Sequence, residues 1–262
     1  MKHSAADWCY LERSGLSPAE YYRQLRAAGF TGVEMVAPPH RALARAAGLQ
    51  LVTQSVPDLE RGLNHRAHHE WLIPEIHAAI DDAHANQVQH LIVFSGRRAA
   101  LSEAQGIAAC VDGLRSVAAH AETTGVTVLL EVLNEFDHTD QQCSRMAFAR
   151  PVIEAVGSRA VKMLYDLYHG ERMGDDLTTW DAATVGLIGH IHVAASEARS
   201  RPRPGTAPDY PALIPAIIAA GYQGFWGHEY FPGTDVVADL SACRAHLQSG
   251  QALQAGAALR GS

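Results

Sequence analysis

Residues 126–131 read VTVLLE, and residues 161–166 read VKMLYD. Each is a short apolar run that ends on a carboxylate, Glu131 in the first and Asp166 in the second. Runs of this length and composition indicate buried strands. Between such runs the apolar residues have helical spacing, and strands that alternate with helices are typical of a parallel sheet covered by helices.

The same alternation extends over the rest of the chain. We predict eight strands, at residues 2–8, 32–36, 50–54, 90–94, 127–132, 161–165, 190–194 and 224–228. Eight is the number that closes a (β/α)8 TIM barrel, and 262 residues is a typical size for one. The sequence therefore predicts the α/β class and a single TIM-barrel domain over residues 1–262, although length alone also allows two smaller domains. The Ala-, Gln- and Gly-rich tail, 248–262, is expected to be a frayed helix.

Local signals support these boundaries. Ser17 before Pro18 predicts a capped helix start, and Ser102 with Gln105 forms a capping box. Four glycines, each placed between a predicted helix and the next strand, are expected to end helices. They are Gly29, Gly48, Gly125 and Gly221.

Composition limits the classes of partner. Apolar residues make up 47% of the chain, the net charge is −7, and the basic residues are scattered. Because no basic stripe is present, we expect no binding to nucleic acid or to an anionic membrane, and a small-molecule substrate instead. The N-terminus lacks an apolar leader segment and no long apolar run follows, so the expected location is the cytoplasm. Barrels of this kind often form homo-oligomers, but no segment specifies an interface.

In this architecture the active site forms at the carboxyl ends of the strands. Glu131 and Asp166 end the fifth and sixth predicted strands, His192 lies in HIHVA of the seventh, and Glu229 ends FWGHE of the eighth. In a closed barrel, four successive strands bring these side chains to one mouth. Any one of them alone could equally cap a helix, join a salt bridge or pack in the barrel, but together they indicate a site.

Three converging carboxylates raise one another's pKa values unless a positive charge compensates them. A divalent cation supplies that charge. Oxygen-rich ligation with one imidazole favours Mn²⁺ or Mg²⁺, with Co²⁺ or Zn²⁺ as alternatives.

Five segments carry a resemblance to a known family. They read GVEMVAPP from residue 32, EVLNEFDH from 131, VKMLYDLYHGERM from 161, IGHIHVAASEAR from 188, and GTAPDYPALIPAIIAAGYQGFWGHEY from 205. The chain resembles the hydroxypyruvate isomerase branch of the xylose-isomerase-like superfamily of sugar isomerases and epimerases. That resemblance implies a TIM barrel, a divalent metal, and proton transfer between adjacent carbons through an enediolate.

The family's metal ligands fall on Glu131, Asp166, His192 and Glu229, and its two catalytic glutamates are Glu131 and Glu229. The resemblance also makes His169 and Arg199 substrate-binding residues. The loop SEARSRPRPG does not match the family cleanly, so Arg201 and Arg203 stay alternatives to Arg199.

Three further residues are predicted to bind substrate or to support the site. Arg97 follows the fourth strand in FSGRR; its alternative is a solvated surface pair. Glu34 lines the pocket or braces a histidine behind the metal. Asn134, in the loop after Glu131, positions substrate or supports the site. Trp8 and Trp226 wall the pocket or pack elsewhere.

Two positions depart from the usual hydroxypyruvate isomerase pattern, which has proline at Val132 and glutamine at His192. Histidine there is closer to the ketose epimerases, so the predicted substrate is a short hydroxy-keto acid or a keto-sugar. Three other functions remain open: a metal-dependent dehydratase of a ketose or inosose, a non-catalytic binding barrel, and an endonuclease-like barrel. The negative net charge disfavours the endonuclease.

Overall fold

The computed structural model describes residues 1–258, with side chains to residue 250, and contains one parallel sheet. Its strands are β1 (Lys2–Ala6), β2 (Gly32–Glu34), β3 (Gln50–Leu51), β4 (Thr53–Ser55), β5 (His90–Val93), β6 (Thr127–Val132), β7 (Val161–Asp166), β8 (Ile188–Val193) and β9 (Phe225–His228). They lie in the order β3-β2-β1-β9-β8-β7-β6-β5-β4. The predicted TIM barrel is confirmed.

The nine strands correspond to the eight predicted ones because Val52 divides the third into β3 and β4. Its N–H donates to Val33 O at 2.9 Å, and its carbonyl accepts from His90 N at 2.9 Å. Val52 thus forms hydrogen bonds with β2 on one side and with β5 on the other, and the sheet closes into a barrel at this point.

Ten α-helices cover the barrel in the described residues. They are α1 (Asp7–Tyr10), α2 (Pro18–Ala27), α3 (Arg41–Ala46), α4 (His69–Ala85), α5 (Glu103–Thr124), α6 (Met146–Val156), α7 (Leu167–Met173), α8 (Ala182–Gly186), α9 (Tyr210–Ala219) and α10 (Val236–Ala258). Three short 3₁₀ turns lie at Glu12–Ser14, Pro38–His40 and Arg66–His68. No helix within residues 1–258 is long and apolar enough to span a bilayer.

The predicted helix signals are present. Ser17 accepts from Glu20 N at the start of α2, and Ser102 with Gln105 forms the capping box of α5. Gly125 ends α5 with φ of 76°, a left-handed conformation that favours glycine. The other three predicted helix-ending glycines also have positive φ.

Several predicted bounds were wrong by a few residues. β1 stops at Ala6 because α1 begins at Asp7, and β2 stops at Glu34 because Met35 turns to a left-handed φ of 52°. Both early stops redirect the chain at the carboxyl end of the barrel. In the predicted tail, residues 248–258 belong to α10, and 259–262 lie outside the described residues.

Strands β6 and β7 are buried along almost their whole length, including the carboxylates at their ends. A parallel sheet covered on both faces requires such burial. The carboxyl ends of β6 to β9 therefore place polar side chains in a largely dry environment, and this placement gives the barrel its candidate site.

Candidate active site

Four polar side chains converge at the carboxyl end of the barrel. Glu131 lies on β6, Asp166 ends β7, His192 lies on β8, and Glu229 follows β9. Asp166 pairs in register with His192, and His192 with Gly227. One ligand atom from each of the four lies within 4.8 Å of the others, and each residue is at most 5% exposed. We name these four residues the mouth cluster.

The mouth cluster has the donor set of a divalent cation site. The Nδ1 atom of His192 lies 3.0 Å from Glu229 Oε2 and 3.7 Å from Glu131 Oε1. This nitrogen is buried, yet it forms no hydrogen bond with any group in residues 1–258. An orphaned ring nitrogen facing three carboxylates fits a shared cation, because buried polar atoms otherwise find partners.

Burial and charge act differently on the three carboxylates. Burial raises the pKa of Glu131 above its ordinary value and that of Asp166 to about 7. Burial also acts to raise the pKa of Glu229, but His192 and Arg199 outweigh it and hold that pKa below its ordinary value. The positive charges of His192 and Arg199 thus outweigh burial only at Glu229. At Glu131 and Asp166 they do not offset the effect of burial on the pKa.

Arg199 is the arginine that reaches the mouth cluster. Its Nη2 atom lies 2.5 Å from Glu229 Oε2 and 3.4 Å from Asp166 Oδ2, and its guanidinium lies over the rings of Trp8 and Tyr168. Its backbone is left-handed, with φ of 47°, and its carbonyl accepts from Phe231 N at 2.8 Å. This local turn aims the side chain into the barrel mouth.

The two alternative arginines form ion pairs away from the mouth. Arg201 lies 3.2 Å from Asp239 Oδ1, and Arg203 lies 3.6 Å from Glu197 Oε2. The family spacing from His192, rather than the count back from Gly205, therefore identifies the arginine at the site.

His169 on α7 presents a hydrogen-bond donor beside the mouth cluster. Its Nδ1 atom accepts from the backbone N–H of Asn134 at 3.2 Å, and the side-chain nitrogen of Asn134 lies 2.5 Å away. The ring proton is therefore on Nε2, which lies 3.5 Å from Asp166 Oδ2 and has no hydrogen-bond partner among the described residues. Burial lowers the pKa of His169, so the ring is neutral.

Asn134 supports the site from behind. It is fully buried, and besides His169 its side chain bonds Asp137 Oδ2 at 2.9 Å. Tyr168 donates its hydroxyl to the same oxygen. We predicted that Asn134 either positions substrate or supports the site. Its contacts fit the second role, because they hold His169.

Arg97 and Glu34 do not line the pocket that carries Glu131, Glu229 and Arg199. Arg97 is half exposed and pairs with Glu60, which corresponds to the surface pair considered as its alternative. Glu34 has no exposed surface and hydrogen-bonds His190 and His192 inside the barrel. Its side chain thus lies behind the mouth cluster and does not line the pocket.

The pocket beside the mouth cluster has a volume of about 190 Å³. One wall carries Glu131, Glu229 and Arg199. The rest of the lining is mostly apolar and could not be predicted from the sequence, since single apolar residues carry no signal. Its aliphatic, methionine and phenylalanine side chains are Met35, Leu59, Ile92, Phe94 and Leu133, and Trp8, Ser55 and His138 complete it.

The two tryptophans differ in position. Trp8 lines the pocket and donates from Nε1 to Glu229 Oε1 at 2.8 Å. Trp226 is 1% exposed and packs edge to face with Tyr222, away from the mouth cluster. Trp8 therefore orients Glu229, an active-site contact that the sequence left undecided.

Comparison with known proteins agrees with this geometry. Residues 22–247 match the family model described as xylose isomerase-like TIM barrel. A human protein provisionally named hydroxypyruvate isomerase is 30% identical over 267 residues, which cover 91% of this chain and 92% of that protein. The chain belongs to the xylose isomerase-like TIM barrel family, in its hydroxypyruvate isomerase branch. The predicted family is thereby confirmed.

Other known proteins match in part or at lower identity. Hydroxypyruvate isomerase of Escherichia coli K12 is 32% identical over 142 residues, about half the length of each chain (54% and 55%). The solved structure of an L-ribulose 3-epimerase covers all of this chain and 99% of its own, with a TM-score of 0.79 at 19% identity. At that identity the likeness shows the shared fold alone.

Proposed function

We propose that this barrel is a divalent-metal-dependent isomerase or epimerase that moves a proton between adjacent carbons of a short hydroxy-keto acid or keto-sugar. The observation that carries the proposal is the pair Glu131 and Glu229, whose carboxylates lie 3.7 Å and 3.0 Å from His192 Nδ1. Such a reaction needs a base for one carbon, an acid for the other, and stabilisation of the enediolate oxygens between them.

Glu131, Asp166, His192 and Glu229 would hold the cation, Mn²⁺ or Mg²⁺ by preference and Co²⁺ or Zn²⁺ otherwise. When bound, it supplies a Lewis acid that polarises the substrate carbonyl. Glu229 is kept ionised by Arg199 and is oriented by the Trp8 donor, so it is suited to take a proton. Glu131, whose pKa is raised by burial, donates a proton of its own at the other reacting position, so that Glu229 ends protonated and Glu131 ionised, and the two roles exchange with reaction direction.

Two donors complete the reacting environment. The Nε2–H of His169 has no partner among the described residues and faces Asp166, so it is available for a substrate oxygen. The guanidinium of Arg199 lines the same pocket and suits a carboxylate or hydroxyl end. The pocket volume of about 190 Å³ favours short substrates.

The test is solvent hydrogen exchange in D2O with Mn²⁺ and a panel of short hydroxy-keto acids and keto-sugars. We expect the wild type to incorporate deuterium into a substrate C–H position and Glu229→Gln not to do so. Glu154→Gln removes an exposed glutamate paired with Arg150 on α6 and serves as the matched control.

Product mass separates the competing enzymes. An isomerase or epimerase changes the mass only by the exchanged hydrogen, whereas a dehydratase removes one water. If the wild type exchanges no hydrogen with any member of the panel, the proposed function is wrong and a non-catalytic barrel remains.

A further inference from the structure

A second cluster of polar side chains lies inside the barrel, behind the mouth cluster. Its members are Ser4 on β1, Glu34 on β2, Thr53 on β4 and His190 on β8, and it meets the mouth cluster at His192. All are at most 2% exposed. We name Ser4, Glu34, Thr53 and His190 the interior cluster.

Every oxygen of Glu34 is hydrogen-bonded. Oε1 accepts from Ser4 Oγ at 2.5 Å, and Oε2 accepts from Thr53 Oγ1 at 3.0 Å. His190 Nε2 lies 3.0 Å from both oxygens, and His192 Nε2 lies 3.0 Å from Oε2. A buried carboxylate is tolerated only when it is satisfied in this way.

The contact between Glu34 Oε2 and His192 Nε2 determines whether the other ring nitrogen, Nδ1, faces the mouth cluster with a lone pair or with a proton. An imidazole that binds a cation through one nitrogen is neutral and carries its single proton on the other nitrogen, and the hydrogen bond of that second nitrogen fixes this tautomer. When Nε2–H donates to Glu34, Nδ1 is left with a lone pair that faces Glu131 and Glu229. The opposite tautomer would leave Nδ1 without a lone pair for a cation.

The strand next to His192 leaves room for this arrangement. A Cβ at Gly227 would lie 2.3 Å from Glu34 Oε1, 2.6 Å from His192 Cδ2 and 2.7 Å from His190 Nε2. Any side chain there would displace the carboxylate or one of the rings. The absence of a side chain at this position of β9 is therefore a condition for the contact between Glu34 and His192.

The interior cluster could in principle hold its own cation, since one atom each of Glu34, His190 and His192 lies within 4.8 Å of the others. Their facing atoms, however, already form direct hydrogen bonds at 3.0 Å. The space between Glu34 and the two rings is thus filled by direct hydrogen bonds, whereas at the mouth three carboxylates face Nδ1 of His192 without such bonds.

We propose that Glu34 is a positioning residue, which fixes the tautomer and orientation of His192 so that Nδ1 binds the cation at the mouth. The inference rests on the proposed function, because it requires His192 to be a ligand. Carboxylates that hold ligand histidines typically contribute about 10- to 100-fold in metal affinity.

The experiment measures Co²⁺ affinity by calorimetry and the visible absorption of bound Co²⁺ in wild type, Glu34→Gln and Asp7→Asn. Asp7 is a buried carboxylate that accepts from Tyr22 at 2.5 Å and is not part of either cluster, so it is the matched control. We expect Glu34→Gln to bind about 10- to 100-fold more weakly with a changed absorption spectrum, and Asp7→Asn to match the wild type.

Thr53→Val is the second variant, in case Glu34→Gln does not fold. It removes one donor to Glu34 Oε2 and should weaken Co²⁺ binding in the same direction by a smaller factor. Wild-type affinity and spectrum in a folded Glu34→Gln, or in Thr53→Val if that alone folds, would overturn the inference and leave the proposed function intact. Absence of Co²⁺ binding by the wild type would overturn both.

Discussion

The mouth cluster and the interior cluster are both built from carboxylates and imidazoles, and both contact His192. They differ in how their atoms are paired. In the interior cluster both Glu34 oxygens accept hydrogen bonds from hydroxyls and rings. In the mouth cluster three carboxylates face one another and His192 Nδ1 makes no hydrogen bond within the described residues. Nδ1 of His190 also lacks a partner among the described residues, so the difference lies in the carboxylates. The comparison indicates that an acid and histidine cluster is a candidate ligand site where several carboxylates face one another, and structural where its carboxylate is fully hydrogen-bonded.

The largest expected effect comes from removing a ligand of the mouth cluster. Asp166→Asn should weaken Mn²⁺ binding by more than about 100-fold, since loss of a direct ligand should exceed the usual effect of an outer residue. Asp176→Asn changes an aspartate that bonds Thr178 and Thr179, away from the mouth, and is the control. Equal affinities, measured by electron paramagnetic resonance of free Mn²⁺, would contradict the assignment.

Arg199→Ala should reduce turnover by roughly 100-fold while the cation still binds, because the guanidinium contacts Glu229 and lines the pocket. Arg203→Ala should leave turnover near wild type, since that side chain pairs with Glu197. Steady-state rates at saturating Mn²⁺ provide the measurement. Loss of activity in both variants would show that turnover depends on the loop that carries both arginines, rather than on the contact between Arg199 and Glu229.

Gly227→Ala tests the packing between the clusters. The added methyl would lie 2.3 Å from Glu34 Oε1, so we expect a loss of about 1–3 kcal/mol in the free energy of unfolding. Gly186→Ala, where nothing lies within 4 Å of the new atom, should change it by less than about 0.5 kcal/mol. Urea denaturation checks both, and equal stabilities would mean that the barrel interior relaxes freely.

Asp7 is a buried carboxylate outside both clusters and gives the smallest effect. Burial raises its pKa from 3.8 to about 7, so the folded state keeps a proton that the unfolded chain loses. Stability should therefore fall as pH rises through this window. Between pH 5 and pH 6 the wild type should lose about 1 kcal/mol relative to Asp7→Asn. Parallel pH profiles of unfolding free energy would show that Asp7 is ionised when folded.

The sequence was informative where chain position alone fixes the geometry. Strand-end residues of a parallel barrel must meet at one mouth, so the sequence alone is enough to group Glu131, Asp166, His192 and Glu229. The same rule could not separate Arg199 from Arg201 and Arg203, because the choice depends on a left-handed turn at Ala198 and Arg199.

Interior contacts were less accessible to sequence reasoning. Glu34 ends a strand like the mouth residues, but its burial behind His192 depends on Gly227 of a strand distant in sequence. Arg97 follows a strand end as well, yet its pairing with Glu60 is a loop contact without a sequence signal. The apolar pocket wall has no chemical pattern that sequence reading could use.

The most direct test of the account is the number of divalent cations bound per chain, measured by equilibrium dialysis with Mn²⁺ and elemental analysis. The account predicts one cation, held at the mouth cluster and lost in Asp166→Asn. A count of zero would contradict the ligand site at the mouth, and a count of two, with the second lost in Glu34→Gln, would contradict the structural role of the interior cluster.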